Sequence, residues 1–250
     1  MEIQPKPRRV YPLRISRRMQ TAAAHRTMAV PDARSLPPGV DLRAKMPPIT
    51  DQGSLGSCSA HALCAVLGYQ RSQFTPSPLF VYYNERLIER EVEEDSGALL
   101  ADGVTSLRLY GACSEALCPY VVEDFAKLPS HECYVEALQH KIPSAHMLFG
   151  SEEAIKAELA AETPVVVGIS IYEHFESDEC AKTGVVNMPD VLEASLGGHA
   201  VLLCGYDDAS MRWIVRNSWG PSWGQAGYFT LPYQYVQLYG SEAYSLGQVS

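Results

Sequence analysis

The stretch that decides the fold of this chain is a glycine-rich turn ending in a cysteine, Gln52-Gly53-Ser54-Leu55-Gly56-Ser57-Cys58. Small and apolar residues recur at three- and four-residue spacing over 58–70, with few charges, and this pattern predicts a buried helix. The cysteine therefore stands at a helix N-terminus, where backbone N–H groups have no partner within the helix. The helix dipole lowers the pKa of a thiol placed there, so we expect a reactive cysteine at position 58.

Two later segments carry the partners that such a cysteine needs. His199 follows two glycines at the start of a predicted strand, and Asn217 opens a glycine-rich loop with two tryptophans. An imidazole takes the thiol proton and returns it to the leaving group, and an amide carbonyl orients the imidazole. Cys58, His199 and Asn217 thus predict acyl transfer through a thioester. Trp219 and Trp223 are placed to keep water from the imidazole–amide hydrogen bond.

Gln52 lies six residues before Cys58, across the tight turn. Its side-chain amide is a candidate to join the Cys58 backbone N–H in an oxyanion hole. Each residue also has a purely structural interpretation, namely a buried thiol at Cys58 and an ordinary turn residue at Gln52. His61, three residues after Cys58, is expected to pack or cap rather than act as the base, because nothing in the sequence orients it.

Together these segments resemble the papain family of cysteine peptidases. The family signature has Cys-Gly-Ser/Ala-Cys at the nucleophile, with His and Asn far downstream. Here residues 55–58 read Leu-Gly-Ser-Cys, and His199 and Asn217 follow Cys58 by 141 and 159 residues. Two further matches, to the start and the middle of the family domain, are Val40-Asp41-Leu42-Arg43 and Glu115 with Pro119-Tyr120.

The resemblance implies an α+β fold of two lobes, a helical left lobe and a β-barrel-like right lobe, with the active site in the cleft between them. The residue patterns agree, since helical patterns come first and short β-type runs follow from Pro164. The predicted later helix starts are Ser77-Pro78, Asp102 and Ser151. We expect a basic N-terminal arm over 1–38, a mainly helical lobe carrying the nucleophile over 39–145, and a mainly β lobe carrying His and Asn over 146–250.

The family also implies where substrate binds. Its glycine-rich cleft edge corresponds to Gly97 and Ala98 in this sequence. Gly168 and Gly198 fall where the family lines its S2 pocket, which holds the second side chain before the scissile bond, and glycine there leaves room for a bulky group. Trp223 is interpreted as core packing, as a wall for the residue after the scissile bond, or as both.

Three positions depart from the family pattern. Leu55 replaces a cysteine that in most members forms a disulfide with the left lobe, Ser59 replaces an aromatic residue, and Leu42 replaces a tryptophan. In place of the family's long helical pro-region we expect a short one of at most 38 residues. These departures are typical of a bacterial-type branch with a short pro-region, which need not fold in an oxidising compartment.

Charge is divided unevenly along the chain. Its 250 residues carry a net charge of −9, but residues 1–38 carry +6 and the rest −15. An acidic body argues against nucleic-acid binding. We expect polypeptide substrates as partners, together with the chain's own arm lying across the cleft, and leave the oligomeric state open. Either charge attraction or apolar contacts of Val10, Tyr11, Leu13 and Ile15 hold the arm.

Other features bear on compartment and cofactors. No stretch approaches the ~18 apolar residues of a membrane helix, and no secretory signal is recognised, so we expect a cytoplasmic protein or one exported by a signal-independent route. Seven cysteines are expected to be mostly reduced. Cys113 and Cys118 have no second Cys/His pair nearby, so neither metal nor cofactor is expected. The acidic run 91–95 is interpreted as a solvated helix end, or alternatively as a contact for the arm.

The sequence therefore supports a cysteine endopeptidase whose N-terminal arm is an autoinhibitory pro-segment. Two alternatives remain. The same chemistry serves an exopeptidase, an amidase or an acyl transferase, and an exopeptidase would need a segment that blocks the cleft, for which the tail from Ser241 is the candidate. A catalytically inactive scaffold that binds a partner is the other alternative.

Overall fold

The computed structural model describes residues 11–14, 36–148 and 151–248, and its helices fall mainly in the first half of the chain. The four helices of that half are α1 (Cys58–Gln70), α2 (Pro78–Glu89), α3 (Leu100–Leu109) and α4 (His131–Ala137). Three short helices of the second half are α5 (Glu152–Ala160), α6 (Asp178–Thr183) and α7 (Tyr233–Tyr239). The sequence predicts that helices come first along the chain and strands second, and the structure largely has this order.

Side-chain caps account for several of the helix starts. Ser77 Oγ accepts a hydrogen bond from Phe80 N at 3.1 Å, ahead of Pro78 at the first position of α2. Ser151 Oγ does the same for Ala154 N at the start of α5. Both predicted caps are confirmed.

The predicted cap at Asp102 is wrong. The cap lies three residues earlier, at Leu99, and α3 begins at Leu100 with Asp102 in its first turn. The reason is tertiary, because the Leu99 N–H donates to Glu89 Oε1 at 2.8 Å and the Leu99 carbonyl accepts from Asp102 N at 3.0 Å. The Glu89 side chain, at the end of α2, therefore fixes where α3 starts.

The strands form one antiparallel sheet. They are β1 (Gly39–Asp41), β2 (Ala145–Met147), β3 (Val165–Tyr172), β4 (Ser195–Asp207), β5 (Arg212–Arg216), β6 (Tyr228–Pro232) and β7 (Gly240–Leu246). Their order is β2-β7-β3-β4-β5-β6, with β1 added on β4. The sheet is open rather than barrel-like, since in the described part of the chain its end strands β2 and β6 pair with β7 and β5 but not with each other.

The two faces of this sheet serve different cores. Val166, Ala200 and Leu202 point to a core shared with α1, whereas the alternate residues of β3 and β4 point to a core under α5. Residues 58–68 of α1 are all buried. Because α1 packs against β4, the first residue of the helix lies close to the segment of β4 that carries His199.

The division of the chain at 38/39 and 145/146 remains a prediction, although β1 belongs to the sheet and not to the helical lobe. None of the helices within the described ranges is long and apolar enough to cross a membrane.

Candidate active site

Cys58 is the first residue of α1 and only 1% exposed. Burial raises the pKa of its thiol to about 12, although hydrogen bonds from the Ala200 and Ser59 backbones act in the opposite direction. The expected lowering of this pKa is thus wrong for the thiol as it is buried here. Desolvation of the thiolate outweighs the helix dipole because so little water reaches the sulfur.

His199 and Asn217 are joined as predicted. His199 Nε2 lies 2.9 Å from Asn217 Oδ1, which also accepts from Ser218 N at 2.9 Å. Since a carbonyl oxygen can only accept, Nε2 carries the proton, and Nδ1 is the nitrogen that can take another. The Trp219 ring stacks on the imidazole with centroids 4.9 Å apart. Both partners of the hydrogen bond are at most 3% exposed, so water is kept from it.

Gln52 is held on three sides in the turn before Cys58. Its Nε2 donates to Leu55 O at 2.9 Å, its Oε1 accepts from Ser218 Oγ at 2.6 Å, and its backbone carbonyl accepts from Tyr120 Oη at 2.9 Å. A primary amide has two hydrogens, so one remains beyond the bond to Leu55. The side chain is fixed in one orientation, which an oxyanion hole requires.

A carboxylate stands where the turn lacks the family cysteine. Asp95 accepts from Gly56 N at 2.9 Å and 3.2 Å, and Tyr82 Oη donates to the same carboxylate. Tyr82 Oη in turn accepts from Gly97 N at 3.2 Å. This network, the Asp95 clamp, ties the turn next to Cys58 to the cleft edge. Sequence reasoning missed it; the signal was the absence of a cysteine at Leu55, which leaves the loop needing another anchor.

Two polar residues of α1, Ser59 and His61, are accommodated in the interior. Ser59 Oγ donates to the buried carboxylate of Glu85 at 2.8 Å. His61 packs edge-on against Tyr120 and hydrogen-bonds to Thr50 Oγ1 at 2.9 Å. Burial lowers the pKa of His61 to about 3, so this histidine is a packed, neutral residue, as predicted.

Residues 11–14 of the arm lie in the cleft, and their backbone is bound on both sides. Leu13 N donates to Gly198 O at 3.2 Å, Gly198 N donates to Tyr11 O at 3.1 Å, and Arg14 N donates to Ala98 O at 3.2 Å. The rest of the arm up to residue 35, including Val10 and Ile15, lies outside the described residues.

The glycines predicted to bind substrate lie directly against residues 11–14. A Cβ on Gly97 would overlap the Pro12 carbonyl, and one on Gly198 would lie 2.5 Å from Leu13 O. A Cβ on Gly168 would lie 3.0 Å from Leu13 Cδ2. Leu13 is 5% exposed, so the predicted S2 pocket holds an apolar side chain.

Trp223 lies in the core rather than beside these glycines. It is 5% exposed and packs with Phe175, Trp219 and Phe229, so its position is that of core packing. Tyr11 of the arm instead meets the Trp219 and His199 rings, with centroids 6.0 Å and 6.2 Å away. The arm therefore runs from the His199–Trp219 side of the cleft at Tyr11 to the Ala98 edge.

All seven cysteines are free thiols. Cys113 and Cys118 share a hydrogen bond that lowers the pKa of Cys118. Among the residues that the structure describes, no group of three or more His, Cys, Asp or Glu side chains is arranged to hold a metal ion.

Most of this chain is similar to known protein sequences. Residues 36–246 match the papain family cysteine protease profile. An uncharacterized peptidase C1-like protein of Acanthamoeba polyphaga mimivirus is 40% identical over 200 residues, which cover 74% of this chain and 64% of that protein. The chain thus spans just under two thirds of the length of this viral relative.

Solved structures with the same fold include xylellain, a cysteine protease from Xylella fastidiosa. It superposes with a TM-score of 0.82 at 35% identity, covering 87% of this chain and 88% of xylellain. The ragweed pollen allergen Amb a 11, a cysteine protease in its proform, gives a TM-score of 0.71 at 23% identity and covers 96% of this chain and 75% of its own. At that identity the second likeness concerns the fold alone.

Proposed function

Because the chain belongs to the papain family of cysteine proteases, we propose that it is an endopeptidase that cleaves peptide bonds through a thioester on Cys58. The observation that carries the proposal is the 2.9 Å bond between His199 Nε2 and Asn217 Oδ1, on the sheet against which the Cys58 helix packs. This bond fixes the imidazole so that Nδ1 is the basic nitrogen, which general base catalysis at a thiol requires.

In the proposed reaction the Cys58 proton passes to His199 Nδ1 as the sulfur attacks the scissile carbonyl carbon. The tetrahedral adduct collapses, the carbon–nitrogen bond breaks, and His199 gives its proton to the departing amine. Water then attacks the thioester with His199 again as base, which releases the acid and restores the thiol. Asn217 acts by holding the ring.

The negative charge that forms on the oxygen of the tetrahedral adduct needs two hydrogen-bond donors. The Cys58 backbone N–H, at the first position of α1, and the second amide hydrogen of Gln52 are the candidates. The anchoring of Gln52 by Leu55 and Ser218 supports this role, because a donor that is already oriented needs no reorganisation when the charge forms.

The arm acts in this proposal as an autoinhibitory pro-segment. A substrate has its acyl side, hence its N-terminal part, at the Ala98 edge and its leaving amine on the His199 side. The arm runs the other way, from Tyr11 beside His199 to Arg14 at Ala98. With reversed polarity its peptide bonds offer the leaving amine on the wrong side, so the arm fills the cleft without being a good substrate.

The test compares the full chain with a Cys58→Ala chain on an internally quenched peptide, with Cys64→Ala as the matched control for a second buried thiol on α1. We expect the Cys64→Ala chain to keep the parental rate and the Cys58→Ala chain to lose at least about 1000-fold. Equal cleavage by the Cys58→Ala chain would contradict the proposal. Failure of an epoxide thiol inhibitor to label Cys58 in the processed chain would instead favour a scaffold.

The exopeptidase alternative loses its structural basis. The segment from Ser241 that was its candidate blocking tail is strand β7, paired with β3 and β2 inside the sheet. We therefore expect internally quenched peptides to be cleaved faster than peptides that report release of one terminal residue.

A further inference from the structure

Arg14 of the arm lies between two carboxylates at the outer edge of the cleft. Its Nη1 lies 3.1 Å from Glu89 Oε2, and its Nη2 pairs with Glu91 Oε2. Its backbone N–H is bound to Ala98 O at the same edge, so the side chain leaves the cleft directly toward the two acids. A guanidinium is thus already seated on this pair.

Glu89 is set into the protein rather than lying on its surface. Its side chain is 7% exposed at the last residue of α2, and its Oε1 accepts from Leu99 N at 2.8 Å. Burial raises the pKa of Glu89, with neighbouring Asp102 adding to the shift. A buried carboxylate needs a cation or donors to offset its lost hydration, and Oε2 faces Arg14.

Glu91 is the solvent-side half of the pair. Its side chain is 36% exposed, and the hydrogen bond with Arg14 lowers its pKa, so it is ionised when paired. Glu93 and Glu94 are exposed residues of the same acidic run. Within this run Glu91 therefore binds a cation, whereas Glu93 and Glu94 face water.

We propose that Glu89 and Glu91 form a subsite that selects substrates with arginine or lysine immediately before the residue in the S2 pocket. The proposal rests on the proposed endopeptidase function. Leu13 fills the pocket lined by Gly168 and Gly198. The next side chain away from Cys58 is Arg14, which the acidic pair holds. Because a substrate runs opposite to the arm, that position belongs to its preceding residue, which gives the order basic, then bulky apolar.

The experiment uses four fluorogenic peptides on the full chain, incubated until its rate of hydrolysis is constant. Acetyl-Arg-Leu-Gly-aminomethylcoumarin is compared with its citrulline counterpart, which keeps the shape of arginine without the charge, and a lysine peptide is compared with its norleucine counterpart. We expect kcat/KM to favour each charged peptide by about fivefold to tenfold at low salt, and the preference to shrink as salt rises.

Variants locate the preference. Glu91→Gln, and separately Glu89→Gln, should reduce the arginine-to-citrulline ratio of kcat/KM toward one. Glu93→Gln removes the same charge from the same run and should leave the ratio unchanged. A ratio near one in the parental chain, or one reduced equally by Glu93→Gln, would overturn the subsite.

Failure of the endopeptidase itself gives a different result, because the chain then hydrolyses none of the four peptides. The subsite is then decided by calorimetry on a Cys58→Ala chain that also carries Leu13→Ala and Arg14→Gln, because these two changes free the subsite from the arm. The two ligands compared are acetyl-Arg-Leu-amide and acetyl-citrulline-Leu-amide. A several-fold tighter Kd for the arginine peptide that is lost in Glu91→Gln supports it, and equal Kd values contradict it.

Discussion

At Cys58 two effects act on the thiol in opposite directions. Burial favours the neutral form, whereas the start of α1 and a protonated His199 favour the thiolate. With the arm in the cleft burial dominates, and the pKa of Cys58 is raised to about 12. The covered protein therefore holds its nucleophile in an unreactive form, and departure of the arm has to change this.

This raised pKa predicts the alkylation of Cys58 by iodoacetamide in freshly prepared full chain. The rate should rise about tenfold per pH unit from about pH 6 to about pH 9 without levelling off, because the thiolate fraction grows in that way below the pKa. Cys118, whose pKa is lowered by its hydrogen bond with Cys113, should level off earlier in the same sample and serves as internal reference. Peptide mass spectrometry follows each site, and a Cys58 plateau near neutral pH with the arm still attached would contradict the account.

Asn217 should matter through the ring that it orients. In Asn217→Ala the imidazole loses its acceptor, so kcat should fall by roughly 100-fold with little change in KM. Asn187→Ala, at an exposed asparagine, should leave both constants unchanged. A normal kcat in Asn217→Ala would show that Trp219 stacking alone positions His199.

The sequence was sufficient to identify Cys58, His199, Asn217 and Gln52 as the candidate residues of one site, because their types and order match a known pattern. It did not identify Asp95 or Glu89, since the work of these acids depends on chain segments far away in sequence. A carboxylate next to a turn or at the end of a helix has no local signature of what it will contact.

At the scale of elements, the Asp95 clamp joins the turn before Cys58 to the cleft edge. Asp95→Asn removes the charge and one of the two oxygens that accept from Gly56 N, so the free energy of unfolding should fall by about 1 kcal/mol. Denaturant unfolding measures this, with Asp190→Asn at an exposed site as control. Added reductant should change neither value, and a loss no greater than in the control would contradict the clamp.

Leu13 should contribute more to the binding of the arm than any charged residue of the arm does. It is 5% exposed in the S2 pocket, so Leu13→Ala removes about 2 kcal/mol of apolar burial, and the initial hydrolysis rate of fresh full chain should rise by roughly tenfold or more. Arg14→Gln should raise it only several-fold, because its ion pairs are partly exposed. An unchanged initial rate in Leu13→Ala would show that this segment does not close the cleft.

Prediction of the elements succeeded where local patterns decide. The cap at Ser77 and the apolar runs of β3, β4 and β5 are visible in sequence. The start of α3, the strand nature of β7 and the open sheet were not predicted, because they depend on pairing between distant segments. Strand β7 has two polar residues near its start, Ser241 and Glu242, and its sequence predicts a tail rather than a strand.

At the scale of the whole molecule, the division between a basic arm and an acidic body has a physical consequence. A peptide of residues 1–38 should inhibit the processed chain, and its inhibition constant should weaken several-fold between about 50 mM and about 500 mM salt. The Arg14→Gln peptide should show a flatter salt dependence. A constant that does not change with salt would mean that Tyr11 and Leu13 hold the arm without help from charge.

Acid should loosen the arm as well. Arg14 lowers the pKa of Glu91, so this ion pair supports arm binding above the ordinary glutamate pKa near about 4.3, and the support is lost as pH falls through the lowered value. Glu89, whose pKa is raised by burial, takes up its proton at a higher pH and loses its pairing with Arg14 first. Inhibition by the 1–38 peptide should therefore weaken on acidification, and a tighter inhibition at acid pH would contradict this assignment.

The central claim is that Cys58 belongs to a peptidase held closed by the segment that contains Leu13 and Arg14. The most direct test is a time course of the purified full chain, following its intact mass and its hydrolysis of a quenched peptide together. The account predicts that fragments from the first ~38 residues are lost as the rate rises, and that a Cys58→Ala chain shows neither change. Full activity with the arm still attached and in place, or the same processing in the Cys58→Ala chain, would contradict it.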